Sequence, residues 1–120
     1  MAEITIYHNP KCSTSVHAVA VAEQLGVDAD VVQYLKTPLD AKTLGALIDR
    51  LEDPVTDLVR RDANWTKLGL QEGDVKTKKQ VIDTLVAHKE LLQRPLIVTP
   101  DKVFIGRPKD RVAEALQPYA

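Results

Sequence analysis

The first 35 residues constrain the fold more than any other stretch. Ile4 and Ile6 alternate with Thr5 and Tyr7, the period of a half-buried strand. A polar loop follows, His8-Asn9-Pro10-Lys11-Cys12-Ser13. From about Thr14, the apolar residues Val16, Val19, Ala20 and Ala22 to Leu25 recur near helical spacing, and Gly26 ends the helix. Val31-Val32-Gln33-Tyr34-Leu35 reads as a second strand, broken at Thr37-Pro38. A strand, a crossover helix and a second strand form a parallel, right-handed unit.

The middle of the chain is helical. Asp40 can cap a helix that carries Leu44, Leu47, Ile48 and Leu51 on one face. Asp53-Pro54 reads as an N-cap followed by proline in the first helical position, opening a short helix with Leu58, Val59 and Arg60. Trp65, Leu68 and Leu70 fall in a turn-rich stretch around Gly69 and Gly73. Thr77-Lys78-Lys79-Gln80 is a capping box before a helix through Leu92. The period then returns to two. Residues 96–99 and 102–105 read as a hairpin joined at Pro100-Asp101, and a last helix starts near Pro108. The expected fold class is α/β: a thioredoxin-like βαβ…ββα mixed sheet in one domain over residues 1–120, with a helical insertion at about 40–92.

Bulk properties remove several function classes. The net charge is −1, which gives no footprint for a nucleic acid or a membrane surface. No apolar run approaches the ~18 residues of a membrane span. No signal-peptide pattern precedes the first strand, so a cytoplasmic protein is expected. The single cysteine, Cys12, excludes an internal disulfide, and Ser15 excludes a C-x-x-C pair. No metal site and no bound cofactor are expected.

Cys12 sits at the start of the first helix. Unsatisfied backbone N–H groups and the helix dipole there favour thiolate, the nucleophilic form. Lys11 and His8 are placed to add positive charge. A lone cysteine is often a small buried hydrophobe, but here its sequence neighbours are polar.

The hairpin supplies a second constraint. With a two-residue turn, Thr99 faces Lys102, Ile97 faces Phe104 and, counting on, Arg94 faces Arg107. Opposed residues lie ~4.5–5.5 Å apart, and like charges there repel. Either an anion sits between the arginines, or both guanidinium groups turn into water. In such a sheet the end of the first strand, the start of the third and the end of the fourth share one edge. Cys12, Arg94 and Arg107 meet there, with Pro95 expected to be cis beside the cysteine loop. A thiolate, a helix N-terminus and two arginines suit a tetrahedral oxyanion. A phosphatase-type loop needs arginine after five intervening residues, and Ala18 stands there instead.

These residues resemble the glutaredoxin-coupled arsenate reductase family. The likeness runs through residues 4–15, Tyr34-Leu35-Lys36-Thr37-Pro38, Leu58-Val59-Arg60-Arg61, Leu68-Gly69-Leu70, residues 94–100 and Ile105-Gly106-Arg107-Pro108. It implies arsenate reduction with Cys12 as nucleophile and Arg60, Arg94 and Arg107 as oxyanion ligands. His8 and Ser15 would support the thiolate. Arg60 enters by this likeness alone; otherwise it reads as a solvated helix-end arginine, as Arg61 does. With no second cysteine, an external thiol must complete the reduction, and the likeness implies glutathione or an equivalent with a glutaredoxin-type partner. Ser13, Val16 and His17 depart from the family pattern near where that thiol would approach. Two other readings stay open. One is a polymerase-binding redox regulator of the same fold. The other is a single-thiol oxidoreductase acting on glutathione mixed disulfides.

Overall fold

The structure is a computed structural model, described over residues 3–120. Its sheet has four strands in the order β2-β1-β3-β4, where β1 is Ile4–His8, β2 Ala29–Gln33, β3 Leu96–Val98 and β4 Val103–Ile105. β1 pairs parallel with β2 and antiparallel with β3, and β3 pairs antiparallel with β4. The helix α1 (Ser13–Leu25) makes the crossover between the parallel strands. Gly26 ends it in the left-handed conformation, φ 71°, which glycine adopts without a Cβ clash.

Side chains alternate between two cores. Ile4, Ile6, Ile97 and Phe104 face α1 and the final helix α5 (Asp110–Leu116), meeting Ala18, Val21, Val112 and Leu116. Leu96, Val103 and Ile105 face the opposite side, where Leu44, Leu47, Leu58, Val81 and Leu85 of the helical segment cover the sheet. That segment holds α2 (Ala41–Asp49), α3 (Ala63–Lys67) and α4 (Lys78–Ala87), with short 3-10 turns between them. Asp40 caps α2 by accepting from Thr43 N at 2.8 Å, and Thr77 with Gln80 closes the capping box of α4.

Several boundaries differ from those read off the sequence. β2 begins at Ala29 and ends at Gln33, because the parallel register pairs Ile4 with Ala29. Tyr34 and Leu35 lie beyond the strand, in a turn where Lys36 N and Thr37 N both bond Gln33 O. Asp53 does not cap the turn after it. Its carboxylate accepts from Ile105 N at 2.9 Å and from Arg111 Nη1 at 2.8 Å, tying the insertion to β4 and α5. The stretch around Trp65 is helical, since Asp62 accepts from Asn64 N and Trp65 N and so caps α3. The fourth helix stops at Ala87; a 3-10 turn at Lys89–Leu91 follows. The hairpin keeps the expected register, Ile97 opposite Phe104. Its turn is closed by Thr99, which bonds Lys102 through its N–H at 2.8 Å and through Oγ1.

Candidate functional site

Continuing each register past the strand ends gives two further rows. His8, Gln33, Pro95 and Gly106 form the first. Gly106 N donates to Pro95 O at 2.8 Å, so the pairing persists there. Asn9, Tyr34, Arg94 and Arg107 form the next. The predicted opposition of Arg94 and Arg107 is therefore present, with Arg107 Nε donating to Arg94 O at 2.8 Å. The peptide bonds before Pro95 and Pro108 are both cis.

Asn9 folds the cysteine loop. Its side-chain Oδ1 accepts from Lys11 N at 2.9 Å, and its carbonyl accepts from Cys12 N at 3.0 Å. This delivers Cys12 to the N-cap position of α1, with an extended backbone. The thiol is half-buried and free. Arg107 Nη2 lies 3.4 Å from Cys12 Sγ.

Burial pushes the Cys12 pKa up. The Ser15 N–H, the Arg94 guanidinium, the Thr14 N–H and the charge of Arg107 outweigh it, so the thiol is held below its ordinary value of 9.0. The positive charge that acts on sulfur is thus arginine. Lys11 is exposed, and neither it nor His8 hydrogen-bonds the thiol among the described residues. His8 is buried, and its Nδ1 pairs with Ser15 Oγ at 2.6 Å. Burial lowers the His8 pKa, against the raising effect of the Ser15 backbone. Ser15 Oγ also accepts from Asn9 N at 3.0 Å. The Ser15 hydroxyl thus braces the loop, while its amide serves the thiolate.

Arg60 lies further out. A short antiparallel bridge, Val59 to Leu92, places it beside Gln93. Its guanidinium donates to Gln93 Oε1 at 3.2 Å and to Asp62 Oδ2 at 3.4 Å, with no bond to the thiol. Arg61 is exposed, yet it is bound to Glu72, Thr56 and Val59 O and lies over Trp65. Val16 is exposed on the first turn of α1. An open groove of about 530 Å³ runs from Arg107 past Gln93 to Asp53 and Asp57. Among the described residues no cluster of His, Cys, Asp and Glu could hold a metal, and no helix is long and apolar enough to cross a membrane.

Two site residues were missed by sequence reasoning. Asn9 is one, and the signal for it was an Asn side chain able to bond a backbone N–H two residues on, which mimics a turn. Tyr34 was assigned to the strand itself.

Comparison with known proteins is consistent with this geometry. The ArsC family pattern matches residues 7–115. An arsenate reductase of Escherichia coli is 37% identical over 97% of this chain and 82% of that protein. The uncharacterized protein YfgD of Escherichia coli K12 is 34% identical over 93% of this chain and 95% of its own length. The solved structure of an arsenate reductase from Vibrio cholerae superposes with a TM-score of 0.81 at 30% identity, covering 94% of this chain and 97% of that one.

Proposed function

The chain belongs to the ArsC family, and we propose that it is an arsenate reductase whose nucleophile is Cys12. The observation that carries this reading is the thiol at the α1 N-terminus with Arg107 Nη2 3.4 Å from its sulfur and Arg94 lowering its pKa. A thiolate attacks As(V), and one arsenate hydroxyl takes up a proton from solvent and leaves as water, leaving a sulfur–arsenic bond. Arg94 and Arg107 offset the charge on the remaining oxygens, an electrostatic preorganisation. An external thiol of the glutathione type then attacks Cys12 sulfur in the adduct. The sulfur–arsenic pair passes to arsenic, which leaves as As(III) oxyanion, and a Cys12 mixed disulfide remains. A second thiol, or a glutaredoxin-type protein, returns Cys12 to the thiol. The groove beside Arg107 supports approach of that reductant from the insertion side. Arg60 joins the oxyanion ligands in this reading by the family resemblance alone, which requires its guanidinium to leave Gln93 and Asp62. His8 and Ser15 hold the loop in the form that keeps Sγ at the helix N-terminus. A free reactive cysteine and a thiol reductant fit a reducing compartment, the cytoplasm.

The test is arsenite release from arsenate with glutathione and a glutaredoxin. Wild type turns over, and Cys12→Ser releases none. Release that persists in Cys12→Ser sinks the assignment. Turnover of glutathione mixed disulfides with no response to arsenate supports a thiol oxidoreductase instead.

A further inference from the structure

Tyr34 stands one step past β2, in the row that carries Asn9, Arg94 and Arg107. Its side chain is 1% exposed. Leu39, Leu44, Leu85 and Leu92 line the same small void as its ring. Its hydroxyl has no hydrogen-bond partner, and neither does the buried Nε of Arg94. Among the described residues these are the two buried side-chain polar atoms left without one. Burying a polar atom unpaired costs stability, and each instance calls for a cause. For packing alone, phenylalanine would fill this apolar hole at no such cost.

Resting on the arsenate reductase reading, we infer that the Tyr34 hydroxyl is a further donor of the oxyanion site: it hydrogen-bonds an oxygen of an arsenate held on the Nε edge of Arg94. That edge of a guanidinium carries parallel N–H groups that match two oxygens of a tetrahedral anion. The Nε of Arg94 is covered by the protein yet has no protein acceptor, while Nη1 reaches Glu90 O at a long 3.5 Å. Tyr34 adds a neutral donor for an oxygen the arginine does not cover. Donation breaks no covalent bond, and the proton stays on the phenol.

The electrostatics agree with a donor role. Burial raises the Tyr34 pKa above its ordinary value, against the charge of Arg94 and looser contacts of the hydroxyl with the Asn9 and Arg94 side chains, neither of which reaches hydrogen-bond geometry. The phenol therefore keeps its proton over the range in which Cys12 ionises. Arg94 and Cys12 both act on it, so the hydroxyl lies in the field of the two groups that hold and attack the anion.

Tyr34→Phe removes one oxygen and keeps the ring. The readout is protection of Cys12 from iodoacetamide by sodium arsenate. Without arsenate, the variant should alkylate within about twofold of wild type, with the same pH midpoint. The half-protecting arsenate concentration should rise about tenfold or more, the value of a hydrogen bond to a charged group. An unchanged half-protecting concentration overturns the assignment. So does a shifted alkylation midpoint, which would tie the hydroxyl to Cys12 itself. A wild-type measurement guards against a variant that folds poorly. With 13C at the tyrosine ζ carbons, arsenate should move the Tyr34 resonance; a resonance indifferent to saturating arsenate overturns the proposal. Arsenite release by wild type together with equal protection of both proteins rejects Tyr34 alone. A wild type that arsenate neither protects nor turns over rejects the reductase reading as well.

Discussion

Arginine is used in opposite ways in the insertion and at the sheet end. In the insertion, Arg61 spends every donor. Nε and Nη2 bind the Glu72 carboxylate at 3.1 and 2.9 Å. Nη1 serves the carbonyls of Thr56 and Val59, and Nη2 also reaches Thr56 Oγ1. The guanidinium lies 4.9 Å from the centre of the Trp65 ring. At the sheet end, Arg94 has one long bond to a protein oxygen, Glu90 O, a buried Nε with no partner, and a guanidinium that acts on the Cys12 thiol. An arginine offers five donors in a rigid fork. One that has used them all is scaffold. One that holds them in reserve next to a nucleophile has capacity for a ligand. The contrast supports the proposed site at the sheet end without reference to any relative.

Removing each arginine should separate the two uses. Arg94→Ala should lower arsenate turnover by about 100-fold or more, the range for deleting one preorganised oxyanion donor. Its melting temperature should change little, since only one weak bond is lost. Turnover within threefold of wild type would remove Arg94 from the oxyanion site.

A second variant damages both uses at once. A Cβ on Gly106 would lie 2.6 Å from Pro95 Cγ and 3.1 Å from Ile97 Cδ1. The Pro95–Gly106 row sits directly behind Arg94 and Arg107, so the backbone must part where the arginines are held. Gly106→Ala should destabilise by roughly 1–3 kcal/mol, the cost of overpacking. Arsenate turnover should fall in the fraction that stays folded. A denaturant midpoint equal to wild type would mean that Pro95 yields freely.

Arg61→Ala supplies the converse. It strips Thr56 O and Val59 O of a partner and uncovers Trp65. The melting temperature should drop by roughly 4 °C, about 1 kcal/mol for a chain of this size. Arsenate turnover at 25 °C should stay within twofold. A large activity loss without a melting change would reverse the scaffold reading.

How far these two regions could be read from residues alone follows from where their contacts lie. The hairpin register depends on a local turn, so counting from Pro100-Asp101 placed Arg94 against Arg107 correctly. The helix caps at Asp40 and Thr77 were equally local. The parallel register of β1 and β2 is not set by any turn, because a helix intervenes. Pairing Ile4 with Ala29 shifted β2 by two residues and carried Tyr34 out of the strand to the site row. The bonds of exposed Arg61 were not legible, because its partners Thr56, Trp65 and Glu72 belong to short elements with no fixed spacing. Asp53 was misread as a cap for the same reason: its partners lie on β4 and α5, more than 50 residues away. Local chemistry was legible, and contacts made by the insertion were not.

The smallest effect tests which arginines act on sulfur. Cys12 is held below 9.0, so the pH midpoint of its alkylation should lie under that value. Removing a positive charge disfavours thiolate and raises the midpoint. Arg107 lies within reach of the sulfur, and Arg94 also lowers the thiol pKa. Arg94→Ala and Arg107→Ala should therefore each raise the midpoint. Arg60→Ala and Arg61→Ala should leave the midpoint near wild type, because their guanidinium groups are spent on Gln93, Asp62 and Glu72. Stability follows with a definite sign. Between the lowered folded pKa and the higher unfolded one, the unfolded chain binds more protons, so stability rises with pH through that window and falls as pH drops through the folded value. Cys12→Ser should flatten that segment of the stability profile. A midpoint moved equally by all four arginine variants would mean that net charge, rather than the two arginines at the sheet end, sets the thiolate, and the contrast between the regions would lose its electrostatic half.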